Sequence, residues 1–305
     1  MQRARMKAAV IAVGHPGCPW TDVCRIEKPK RKASMMEFGD IPERGMVLLG
    51  CGKMGGAMLE GWLSGGLPGS SVYVIDPFAP DWLAGRGVHV NAALPRDPAV
   101  VVVAVKPQMM GDALPAIRQF GNGTSVLISI AAGTQIAAFE AAFGAKTPVV
   151  RAMPNTPAAI GQGITAYCRN THVTDERFEQ ARALLSAVGA TIALENEGQI
   201  DAVTGVSGSG PAYVFHMIEC LTEAGIAQGL PRSMASELAV ATVAGAGALA
   251  VASHDDAGQL RINVTSPNGT TQAALDVLMD AENGLAPLIR RAVAAATERS
   301  RELGK

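Results

Sequence analysis

The stretch Gly50-Cys-Gly-Lys-Met-Gly55 constrains the fold of this 305-residue chain more than any other. It has the spacing Gly-x-Gly-x-x-Gly, directly follows the apolar run 46–50 and leads into a helical pattern over 54–64. A second apolar run, 72–75, closes on an acid, Asp76, 21 residues beyond Gly55. Strand, glycine turn, helix and acid in register are what a dinucleotide-binding unit requires. Gly50 permits the tight turn, Gly52 lets the backbone approach a pyrophosphate, and Gly55 lets the helix pack on the strand. The helix N-terminus then faces the negative charge. A glycine triplet alone is weak evidence; the triplet in this context is strong.

Asp76 also bears on which dinucleotide is bound. A carboxylate there accepts hydrogen bonds from a ribose 2′-OH and repels a 2′-phosphate. Residues 77–82 supply no Arg or Lys to offset that charge. Between NADH and NADPH, NADH is the expected cofactor.

Further short apolar runs at 99–105, 125–130 and 149–153 read as buried strands, and 163–168 and 191–194 read as extensions of the same sheet. Near-continuous apolar runs separated by 20–30 residues are the pattern of a parallel sheet covered on both faces. Beyond residue 200 the strand signals stop. Pro211 and Pro231 each open a helical stretch, towards Gly225 and Ser253, and 285–296 carries a 3.6-residue apolar stripe. The expected fold class is therefore an α/β Rossmann-type dinucleotide-binding domain, 46–200, followed by an all-α C-terminal domain, 201–305. Residues 1–45 are set apart as an N-terminal extension. It is expected to be a flexible tail, or to precede a usual start near Met35 or Met36.

The chain's formal net charge of -1 averages a +4 extension against a remainder of -5. A protein gripping nucleic acid through phosphates needs a basic surplus, so no nucleic-acid partner is expected. No apolar run is read as approaching the ~20 residues of a bilayer span, and the Ala-rich stretch 234–252, with Glu237 inside it, reads as a packed helix. Five cysteines without a CxxC, and no Cys/His cluster at zinc spacing, argue against a disulfide scaffold or a metal site. A reducing cytoplasm is the expected location.

Three segments carry the remaining chemistry. Ala104-Val-Lys-Pro107 lies at a strand end, where open α/β sheets bind ligands. Arg151-Ala-Met-Pro-Asn-Thr-Pro157 is a polar, proline-bounded turn. Val264-Thr-Ser-Pro-Asn-Gly-Thr-Thr271 runs into a helix expected over 272–279, where free N–H groups and hydroxyls make either a carboxylate cradle or an ordinary Ser/Thr cap. Together with SIAAG (129–133) and VSGSGPAYVF (206–215), these motifs resemble the pyrroline-5-carboxylate reductase family from residue 46 to the end.

That resemblance implies reduction of 1-pyrroline-5-carboxylate to L-proline by NAD(P)H, the last step of proline biosynthesis. It implies dinucleotide contacts at Gly50, Gly52, Lys53, Met54, Gly55, Ala104, Val105, Lys106, Pro107, Ala132 and Asn263, beside the Asp76 already read from its spacing. It implies substrate contacts at Glu197, Ser266, Gly269, Thr270 and Thr271, with the Thr271 hydroxyl near the ring nitrogen as the catalytic group. A homodimer through the helical domain, and its assembly to a decamer, are implied too. The chain departs from the family's usual SPGGT at Asn268, a residue that tolerates left-handed backbone angles. Two other readings are weighed. A β-hydroxyacid dehydrogenase would need a general-base Lys where this chain has Val214. A non-catalytic dinucleotide sensor would have no use for a second ligand cradle.

Overall fold

The computed structural model describes residues 38–304. Eight strands form one sheet: β1 (Met46–Leu49), β2 (Val72–Ile75), β3 (His89–Val90), β4 (Val100–Val103), β5 (Val126–Ser129), β6 (Val149–Met153), β7 (Gly163–Arg169) and β8 (Gly189–Ala193). Their order is β3-β2-β1-β4-β5-β6-β7-β8. The helices are α1 (Ile41–Arg44), α2 (Lys53–Ser64), α3 (Met110–Ala113), α4 (Ile136–Phe143), α5 (Asp175–Leu185), α6 (Ile200–Val203), α7 (Gly210–Ala227), α8 (Arg232–Ala252), α9 (Ala257–Asn263), α10 (Thr270–Leu278) and α11 (Leu285–Leu303).

Strand periodicity explains the continuous apolar runs. Met46, Leu48, Val100 and Val102 point to one face and meet Met58, Leu59 and Trp62 of α2 and Leu184 and Leu185 of α5. Val47, Leu49, Val101 and Val103 point to the other and meet Ile117, Phe120, and Ile136, Phe139 and Phe143 of α4. With both faces covered, β1 and β4 are apolar at every position. The first six strands are parallel, as expected. The last two are not: β7 runs antiparallel to β6, and β8 is parallel to β7. The cause is connection length. Only residues 154–162 separate β6 from β7, too few for the crossover of a dozen or more that a parallel return needs.

The N-terminal extension set apart as 1–45 lies outside the described residues over 1–37, and 38–45 belong to the folded unit. Phe38 and Ile41 are in the core. Asp40 accepts from Arg177 Nη1 at 2.6 Å and Nη2 at 2.8 Å, and from Arg44 Nη1 at 2.8 Å. The Arg177 hydrogen bond holds its carboxyl well below the usual carboxylate range.

From α6 onward the chain is helical, and its first turns include a π-helical segment, 204–208. α7 and α8 pack on each other, burying Ala235 and Ala239, yet Val214, Met217, Leu221, Met234, Leu238 and Leu249 stay exposed. The expected packed helix is therefore packed on one side alone within this chain. Over an 18-residue window of mean hydropathy 1.6, the 21-residue α8 also reaches the length and apolarity of a membrane span, which corrects the expectation that no stretch approaches one. α11 returns to the sheet: Ser300 Oγ donates to Asp201 Oδ1 at 2.6 Å, and Leu303 lies against the Gly133 turn.

Candidate active site

Four parallel strands end along one edge, and backbone hydrogen bonds join their exits in sequence. Gly50 N–H donates to the Ile75 carbonyl (2.9 Å), Ala104 N–H to Leu49 (2.8 Å) and Ile130 N–H to Val103 (3.0 Å). The glycine loop, Asp76, Ala104–Pro107 and Ala132 are thus carried on neighbouring strand exits. The chain order reverses at β1, the switch point where open α/β sheets bind ligands.

Gly50 and Gly55 make the tight turn and the close helix–strand approach that their spacing predicts. Gly50 has φ +92°, and a Cβ there would sit 2.9 Å from both the Ala104 carbonyl oxygen and Val105 Cγ1. A Cβ on Gly55 would press into the Gly50 carbonyl oxygen, whereas one on Gly52 would meet nothing within 4 Å. Gly52 is the N-cap of α2 and no side chain caps it; the first helical bond runs from Gly56 N–H to the Gly52 carbonyl. The amides of Lys53, Met54 and Gly55 are left without an intrahelical acceptor, beside an open approach. That is a fit for a pyrophosphate.

Asp76 holds this loop as well as facing it. Its Oδ2 accepts from Cys51 N–H at 2.6 Å and its Oδ1 from Phe78 N–H at 2.8 Å. Asn91 pairs with its backbone in both directions, at 3.0 and 2.8 Å. An ionised carboxylate has about four lone-pair sites, so a ribose hydroxyl can still be accepted. Burial, and then the Asp76 charge, push the Cys51 thiol up to about 11. It stays neutral near pH 7 and adds no negative charge to the loop.

The second cradle lies in the helical half. α10 begins at Thr270, with Gly269 as its N-cap and no side-chain cap bond. Ala273 N–H donates to the Gly269 carbonyl, leaving the amides of Thr270, Thr271 and Gln272 without an intrahelical acceptor. The ordinary Ser/Thr cap, one of the two readings of this segment, is not formed. Asn268 takes φ +57°, the left-handed turn expected of it. Asn263 donates from Nδ2 to Asp255 Oδ2 at 3.1 Å, which puts a carboxylate close to the loop that sequence reasoning passed over. Among the described residues, every side-chain hydrogen bond of 253–272 stays within 253–276 except that of Arg261, which reaches Met279. The two cradles are therefore not bonded to each other within one chain.

Glu197 sits between the halves. Its Oε1 accepts from Arg151 Nη1 at 2.6 Å and from Ile136 N–H, the first amide of α4, at 2.8 Å. The Arg151 side chain is 5% exposed and that of Glu197 30%. Asn155 ties the same region together, donating to the Ser207 carbonyl at 3.2 Å and accepting from Ile164 N–H at 2.9 Å. The proline-bounded turn 151–157 is thus a junction of the two halves, a role its composition alone did not disclose. Among the described residues no group of three or more His, Cys, Asp or Glu side chains is placed to hold a metal ion.

Comparison with known proteins gives matches to both halves. Residues 46–133 match a family model described as NADP oxidoreductase, coenzyme F420-dependent, and 197–303 one described as pyrroline-5-carboxylate reductase dimerisation. A pyrroline-5-carboxylate reductase of Pseudomonas aeruginosa is 41% identical over 266 residues, 85% of this chain and 97% of the relative. The solved structure of a pyrroline-5-carboxylate reductase from Coxiella burnetii aligns with a TM-score of 0.78 at 33% identity, over 86% of this chain and 99% of its own. The Plasmodium falciparum pyrroline carboxylate reductase, solved with NADP bound, aligns with a TM-score of 0.74 at 29% identity, over 87% of this chain and 99% of its own.

Proposed function

The chain belongs to the pyrroline-5-carboxylate reductase family, and from that premise we propose how its residues divide the work. It reduces 1-pyrroline-5-carboxylate to L-proline, the final step of proline biosynthesis. NAD(P)H supplies the hydride that the imine carbon receives. The amides of Lys53, Met54 and Gly55 hold the pyrophosphate, with Gly50 and Gly52 keeping the approach clear. Ala104–Pro107 and Ala132 line the neighbouring strand exits, and Asn263 completes the dinucleotide contacts. The observation that carries this reading is a pair of uncapped, glycine-led helix N-termini, one at the strand exits and one in the helical half.

The α10 N-terminus, with Ser266, Gly269 and Thr270, holds the substrate carboxylate. Thr271 aims its hydroxyl at the ring nitrogen, polarising the imine and raising the electrophilicity of its carbon. A Thr hydroxyl is a weak acid, so its part is orientation and polarisation. Thr271→Ala should lower kcat/KM for the imine about 100-fold and leave the Kd for NADH nearly unchanged; steady-state kinetics with equilibrium cofactor titration checks both. Undiminished catalysis would remove Thr271 from the site. Glu197 is assigned to positioning, because its Oε1 is engaged by Arg151 and by α4.

NADH is the preferred cofactor. The Asp76 carboxylate stands where a 2′-phosphate would come, and 77–82 bring no cation. The kcat/KM ratio of NADH to NADPH should exceed one, and Asp76→Ser should move it towards NADPH; a wild-type preference for NADPH would contradict this. The assembly unit is a homodimer formed through the helical half, in keeping with the dimerisation match over 197–303. It covers the exposed apolar faces of α7 and α8 and brings the α10 cradle of one chain to the glycine loop of the other. Further assembly to a decamer and a cytoplasmic location complete the proposal. Val214, exposed on α7, offers no general base for an alcohol dehydrogenase at that position.

A further inference from the structure

A chain of three side chains joins the loop before α9 to the end of that helix. Asn263, the last residue of α9, donates from Nδ2 to Asp255 Oδ2 at 3.1 Å, and its Oδ1 accepts from Gln259 Nε2 at 2.7 Å. All three residues are exposed. The helix does not depend on this chain, because its N-cap is Asp256, whose side chain accepts from Gln259 N–H at 2.8 Å. The loop does not depend on the Asp255 carboxylate either; it is the Asp255 backbone amide that donates to Ser253 Oγ, at 3.0 Å. Among the described residues, Asn263 is the one hydrogen-bond partner of that carboxylate. A single exposed hydrogen bond adds little to stability, so its consequence lies in what it does to the Asn263 amide.

We propose that Asp255 is a positioning residue, fixing which way the Asn263 carboxamide faces and so which groups Asn263 presents to the dinucleotide. A carboxamide turned end for end keeps its shape and exchanges its oxygen for its amino group. Gln259 cannot choose between the two arrangements, because its own amide can turn and accept where it now donates. A carboxylate has no such freedom. It only accepts, so Nδ2 must face Asp255, and Oδ1 is left to Gln259. The Asn263 amide keeps one N–H and one lone pair for a ligand, in a set order. This role rests on Asn263 being a dinucleotide contact, as proposed above.

The test is equilibrium binding of NADH to wild type, Asp255→Ala, Asp255→Lys, Asn263→Ala and the variant carrying both Asp255→Lys and Asn263→Ala. Melting temperature and the KM for 1-pyrroline-5-carboxylate are measured on the same proteins. Asn263→Ala should raise the Kd of NADH about tenfold, the scale of one lost hydrogen bond. Asp255→Ala leaves both arrangements of the amide equally open and should raise the Kd about twofold. Asp255→Lys puts a donor where only an acceptor stood, turns the amide round and should raise the Kd as far as Asn263→Ala does. In the Asn263→Ala background it should cause no further rise. Melting temperatures and the imine KM should stay at their wild-type values. A purely electrostatic role predicts the opposite sign, because an ammonium in place of a carboxylate would attract the anionic dinucleotide. Wild-type or tighter binding in Asp255→Lys, or an equal loss in both backgrounds, would overturn the positioning role while Asn263 keeps its contact. A lowered melting temperature in Asp255→Ala would make the role structural and overturn it as well. An unchanged Kd in Asn263→Ala would overturn the Asn263 contact itself, and the positioning role with it.

Discussion

Gly55→Ala should raise the KM for NADH by about 100-fold, because the added methyl has nowhere to go. The atom it presses on is the Gly50 carbonyl oxygen, and Ala104 Cβ stands 3.1 Å away on the other side. Neither is the tip of a flexible side chain, so α2 must move off β1 and carry its three free amides with it. Overpacking of this kind costs about 1–3 kcal/mol, and the upper part of that range corresponds to about two decades in affinity. Gly52→Ala is the informative companion. Its methyl would meet no protein atom within 4 Å, so the melting temperature should not change. Cofactor affinity should still fall, since the methyl occupies the pyrophosphate's approach. Full cofactor affinity in Gly52→Ala would show that the phosphates do not come to this loop.

Glu197→Ala should lose about 3 kcal/mol of stability. Removing one partner of a buried ion pair strands the other charge, at a cost of about 3–5 kcal/mol. Arg151 is the partner left behind, 4% exposed. The low end applies because Glu197 itself is 30% exposed. The same change frees the first amide of α4, which follows the loop bearing Ala132. A melting temperature lower by about 5–10 °C is expected, and Arg151→Met in the Glu197→Ala background should recover part of it by removing the stranded charge. A residue whose work is to touch substrate would behave otherwise, with an unchanged melting temperature and a raised KM for the imine. That outcome would return Glu197 to the substrate contacts that the family resemblance implies.

The difference between the two cases also shows what local sequence can carry. The Gly50–Gly55 turn and Asp76 were readable because their requirements are local: positive φ, no Cβ, an acid one strand away. The strands flanked by α2 and α4 were readable because burial on both faces demands apolar residues throughout. β3 was missed, two residues being too few for any periodic signal. The reversal of β7 was open to arithmetic that the apolar pattern alone does not perform, since strand orientation depends on the length of 154–162. The Arg151–Glu197 pair joins residues 46 apart in the chain, and nothing local marks either as the other's partner. The exposed flanks of α7 and α8 were unreadable for a similar reason. An Ala- and Leu-rich helix has the same composition whether its cover comes from its own chain or another.

The most direct measurement of the central claim is steady-state oxidation of NADH and of NADPH by the purified protein, with and without 1-pyrroline-5-carboxylate. Oxidation that depends on the imine, yields L-proline in equal amount and runs with the higher kcat/KM on NADH is the expected result. Dinucleotide binding without any imine-dependent oxidation would contradict it, leaving a protein that holds the cofactor and does no chemistry with it.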